Sequence, residues 1–140
     1  MSLLHTLTQT GNIHLAYAAI RVWVGAMMFY HGFVKIEVFD KFVENVTLKQ
    51  GMPEFLAYAA FGAELIGGAL LVIGLFTRPA AFLIAVTMAV AAFKIHAVDP
   101  WQKKEFALAY LIPALGFLLA GGGLYSIDSK LAQRFSHQGN

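Results

Sequence analysis

One carboxylate lies inside an apolar stretch long enough to cross a bilayer, and that fact limits what the rest of the chain can be. Residues 59–77 read AAFGAELIGGALLVIGLFT, with Glu64 in the interior and Gly67-Gly68 one turn further on. A charge at that depth costs roughly 2.5–3.5 kcal/mol on insertion scales, so it must face a partner or a polar cavity rather than lipid.

The composition agrees with a membrane chain. Of 140 residues, 59% are hydrophobic and only 13% charged, far from the balance of a soluble domain this size. The chain has no cysteine, which excludes thiol nucleophiles, disulfide exchange by the chain itself, cysteine-ligated zinc and iron–sulfur clusters. The formal charge of +2 comes from Lys and Arg scattered at the ends of apolar runs, where they anchor helices at the interface, so no nucleic-acid partner is expected. Residues 1–12 carry no Lys or Arg and lack the charged start of a cleavable signal peptide.

Hydropathy and helix breakers divide the chain into four expected spans, at residues 13–35, 54–76, 80–97 and 105–122. Residues 37–50 are more polar, with Phe39, Phe42, Val43 and Val46 at helical spacing, and predict a short amphipathic segment along the membrane surface. Thr77-Arg78-Pro79 is short enough to make the second and third spans antiparallel neighbours. The expected fold is an all-α four-helix transmembrane bundle, up-down-up-down, forming one membrane domain over residues 1–140 with both termini on one side. Lys35, Lys41, Lys49, Lys103 and Lys104 outnumber Arg78, Lys130 and Arg134, which leans towards the first and third loops being cytoplasmic.

Several polar residues interrupt the spans. Arg21, Met28 and Lys35 recur every seven residues and share a stripe flanked by His31 and Gly32, which is expected to face the interior. Ala59, Ala63 and Gly67 form a small-residue series suited to close helix approach. Counting turns from the side of the first and third loops puts Lys35, His31, Lys94, His96 and Glu105 in the outer turns, with Glu64 and Arg21 deeper. Together they would line a polar funnel, with Arg21 pairing with Glu64. The plainer readings stand beside this: an ion pair that only fixes register, interfacial histidines, and lysines that snorkel to headgroups.

Arg21, Gly32-Phe33-Val34-Lys35, Glu64-Leu65-Ile66-Gly67-Gly68, Gly74-Leu75-Phe76-Thr77-Arg78, His96 and Tyr125-Ser126-Ile127-Asp128, in that order, resemble the DoxX family. That family is similar to DoxD, the membrane subunit of a thiosulfate:quinone oxidoreductase. The resemblance implies a multi-pass protein of a bacterial-type inner membrane, associated with quinone-linked redox chemistry and with membrane or peripheral redox partners.

On that basis Glu64, His31 and His96 are the expected catalytic residues, since an imidazole can donate and accept a proton near neutral pH. Arg21, Lys35, Lys94 and Glu105 are the expected cofactor-binding residues, with quinone as the cofactor. A haem would need facing axial ligands and a metal a third ligand such as Glu105, so no metal is expected. Two further readings remain: a non-catalytic accessory or assembly subunit of a larger membrane complex, and, with less to build on, a small transporter.

Overall fold

The structure, a computed structural model, describes residues 12–138. Helix α1 is Ile13–Val34, started by the Asn12 side chain, which accepts from the Leu15 N–H at 3.0 Å. Helix α2, Phe39–Glu44, runs into a π turn at Asn45–Lys49. Helix α3, Glu54–Ile73, has a π turn at Ala63–Gly67, and helix α4, Thr77–Ile95, ends in a third at Ala91–Ile95. Helices α5, Trp101–Ala120, and α6, Ile127–Gln138, complete the described chain.

This corrects the expected four-helix transmembrane bundle. Among the described residues there are six helices, and only three of them, α1, α3 and α4, are long and apolar enough to cross a membrane. The expected fourth span is α5. Its first turns carry Lys103, Lys104 and Glu105, which leave 15 apolar-to-neutral residues, Phe106–Ala120. At 1.5 Å per residue that stretch covers about 22 Å, short of a hydrocarbon core of about 30 Å. The up-down-up-down topology, and the placement of both termini on one side that followed from it, rested on a count of four and fall with it.

Helix α4 is central. Its Ala80, Ala81, Ile84, Ala85, Met88 and Ala92 share one buried cluster with Val24 and Met28 of α1, Leu71 of α3, and Ala107, Leu111, Ala114 and Phe117 of α5. The alanines let α4 and α5 approach closely. Large apolar side chains instead cover the outer faces, among them Trp23, Phe33, Ile66, Leu83 and Phe93. That is the inside-out pattern of helices that face lipid.

Helices α1 and α3 are antiparallel and touch backbone to backbone. A Cβ on Gly68 would lie 2.4 Å from the Phe29 N, and one on Gly32 would lie 2.5 Å from the Leu65 N. The close approach expected of Ala59, Ala63 and Gly67 therefore belongs to Gly25, Gly32 and Gly68. Gly67 makes only ordinary contact with Ile84 and Ala80 of α4.

The α3–α4 turn is bound to the start of α6. Gly74 and Phe76 both take left-handed backbone, φ 69° and 48°. The Asp128 carboxylate accepts from the Phe76 N–H at 2.8 Å and the Thr77 N–H at 2.9 Å, and so caps α4. That cap starts α4 at Thr77, earlier than the expected residue 80.

Candidate functional site

A cavity of about 330 Å³ opens at the end of the molecule where α1 and α4 finish and α3 and α5 begin. All three π turns contribute to its wall: Asn45 and Val46 from the first, Glu64 from the second, Ala91 and Ile95 from the third. π turns make up well under ~1% of residues and recur at functional sites, because the extra residue re-aims side chains and loosens backbone hydrogen bonds. In α3 the insertion turns Glu64 inward, leaving it 5% exposed.

Glu64 is paired with Lys35, whose ammonium donates to Oε2 from the end of α1. The same ammonium lies 4.9 Å from the centre of the Phe42 ring, a cation–π contact worth about 0.5–1 kcal/mol. His31 also lines the cavity and is held edge-on between Phe106 and Tyr110 of α5, at 5.1 and 5.8 Å between ring centres. His96 also lines the cavity, just past α4, with its Nδ1 2.7 Å from Oδ2 of Asp99. The hydrogen bond from His96 holds the Asp99 carboxyl below its usual range, against slight desolvation and with help from Lys103. An anionic Asp99 accepts from Nδ1–H and leaves Nε2 as the nitrogen free to act.

Four of the seven expected site residues thus meet in one cavity: His31, Lys35, Glu64 and His96. Three do not. Lys94 and Glu105 are exposed and outside its wall. Arg21 lies at the far end, 1% exposed, and donates to the carbonyls of Leu71, Val72 and Tyr125. The expected Arg21–Glu64 pair is therefore corrected to Lys35–Glu64. Because α1 and α3 are antiparallel with Gly32 against Leu65, Arg21 is brought beside residues 71–74, well away from Glu64.

Asp99, Phe106 and Tyr110 were missed. Asp99 stands directly before Pro100, a pattern that marks only a helix stop, and nothing in the spacing of α5 marks two of its aromatics as the walls of a histidine. The α2 segment was expected on the membrane surface, yet Val46 is buried with Met52 and Ala57, packed by Phe42 and Val43. Phe42 and Val46 of its apolar stripe line the cavity. Among the described residues no group of three or more His, Asp or Glu is placed to hold a metal ion.

Several apolar helices around a cavity that holds an ion pair define a multi-pass membrane protein with a buried polar cavity. The family model for DoxX matches residues 16–97, from the first turn of α1 to the end of α4, and the chain belongs to the DoxX family. It is 32% identical over 124 residues to an uncharacterized protein of Haemophilus influenzae, covering 84% of this chain and 91% of that one. It is 30% identical over 110 residues to a Bacillus subtilis protein named "Putative oxidoreductase CatD", covering 78% of this chain and 81% of that one. Neither name singles out the DoxD subunit. No solved structure matches.

Proposed function

We propose that the chain is the membrane component of a quinone-linked oxidoreductase system in a bacterial inner membrane, with the cavity taking the quinone headgroup. The observation that carries this reading is the convergence of an ammonium, a carboxylate and two imidazoles on one mostly apolar cavity. Its volume is at the small end of the roughly 300–1,000 Å³ typical of small-molecule sites. Lys35, His31 and His96 carry the donors that ring carbonyls need, while Met28, Phe42, Met52, Leu56 and Ile95 supply apolar walls.

Quinone supplies a redox couple in which electrons and protons move together. The chain's own residues bind, orient and hold protons. Lys35 would donate to a ring carbonyl of the headgroup, and His96, held through Nδ1 by Asp99, would offer Nε2. Glu64 accepts from the lysine and holds it in place. Without cysteine the chain supplies no thiol or iron–sulfur centre, so electrons arrive from a bound small molecule or a partner protein. The oxidoreductase name of the Bacillus subtilis relative supports the class of chemistry.

The test is equilibrium binding of a short-chain benzoquinone to the purified protein. Glu64→Gln and His96→Ala should each weaken binding at least about tenfold, the scale of losing a charged hydrogen-bonding group. Unchanged affinity in both variants would remove the cavity as a quinone site.

A further inference from the structure

Helix α6 has an apolar face that the other described helices leave open. Ile127, Leu131 and Phe135 recur every four residues and are 37%, 38% and 71% exposed, on a helix that packs extensively against none of the other described helices. Lys130 and Arg134 flank that stripe on one side, and Ser129, Gln133 and Ser136 occupy the opposite face. A helix of 12 residues is marginal in water by itself, so this one needs a surface to hold it.

Its position says which surface. The first turn of α6 is hydrogen-bonded to the turn that joins two membrane-spanning helices: Asp128 N–H donates to the Gly74 carbonyl at 2.9 Å, and the Asp128 carboxylate caps α4. Ser126 Oγ caps α6 itself by accepting from the Ser129 N–H at 3.1 Å. The helix therefore begins at the level where α3 ends and α4 begins, which is the membrane–water boundary. Asp128, the one acidic residue of α6, is engaged in that cap. The charges left beside the apolar stripe are both positive.

We infer that α6 lies in the membrane interface, with Ile127, Leu131 and Phe135 sunk among the acyl chains and Lys130 and Arg134 on anionic phospholipid headgroups. An apolar face bordered by cations is the pattern that fits such a surface. This anchor is independent of what fills the cavity.

The cysteine-free chain allows a direct test with single nitroxide labels at Leu131→Cys, Phe135→Cys and Gln133→Cys. The labelled proteins are reconstituted in phosphatidylcholine vesicles with and without phosphatidylglycerol. Positions 131 and 135 should be several-fold more accessible to dissolved oxygen than to a water-soluble nickel chelate, and position 133 the reverse. Preference for phosphatidylglycerol should fall about fivefold for each charge removed by Lys130→Gln and Arg134→Gln. Equal chelate access at all three positions would overturn the inference. So would spin–spin broadening between labels, which would assign the face to a second copy of the chain.

Discussion

Lys35 at the end of α1 and Glu64 in the π turn of α3 form an ion pair inside the cavity, and it is the one side-chain salt bridge between spanning helices among the described residues. Removing one partner strands a buried charge. Lys35→Met should cost about 3–5 kcal/mol, read as a lower thermal midpoint for loss of helical signal in detergent. The double variant Lys35→Met/Glu64→Leu should recover most of that loss. A single variant as stable as wild type would mean that the pair carries little structural weight.

The backbone contact between α1 and α3 predicts an asymmetry among glycines. Gly68→Ala places a methyl group 2.4 Å from the Phe29 N and should destabilise by about 1–3 kcal/mol or disrupt folding. Gly62→Ala and Gly116→Ala meet nothing within 4 Å and should stabilise by about 0.5–1 kcal/mol through helix propensity. Thermal midpoints of the three variants check this ordering.

Asp128 predicts a pH dependence. Burial raises its carboxyl pKa, but the Thr77 and Phe76 N–H donors and the nearby Arg21 charge outweigh that and leave it below the ordinary value. A depressed folded-state pKa contributes stability that is present above the unfolded value of about 3.9 and is lost as pH falls through the folded one. Asp128→Ala should remove a cap worth about 0.5–2 kcal/mol at neutral pH and flatten the acid limb of the stability profile. An acid limb as steep as that of wild type would contradict the cap.

Much of this was legible in the chain, and the exceptions have physical causes. The seven-residue recurrence of Arg21, Met28 and Lys35 marked an inward stripe, and all three face inward, because helical periodicity is local information. The partner of Glu64 was not local. It depends on the register of α1 against α3, which backbone contact at Gly32 and Gly68 sets. The start of α4 depends on Asp128, some fifty residues downstream, so no capping signal stands next to Thr77. The spacing of Phe39, Phe42, Val43 and Val46 marks an apolar face, but periodicity does not say whether such a face meets lipid or, as Val46 does, protein. Hydropathy overcounted at α5, where the apolar run begins only after Lys103, Lys104 and Glu105.

Asp99 should act through His96. Losing the hydrogen bond that fixes Nδ1 frees the ring to rotate and to change tautomer. Asp99→Ala should therefore weaken benzoquinone binding about two- to tenfold, the scale of one net hydrogen bond, with little change in thermal midpoint. Nitrogen chemical shifts of His96 should show the tautomer ratio moving in the same variant. Binding and tautomer both unchanged would free His96 from Asp99.

The most direct test of the central claim is native mass spectrometry of the protein released gently from its own membrane, with every retained small molecule and subunit identified. A quinone should be retained by the wild-type protein and lost from Glu64→Gln. Retained protein partners with no quinone in either would contradict the claim, and would make the Lys35–Glu64 pair a structural tie in an accessory subunit of a larger complex.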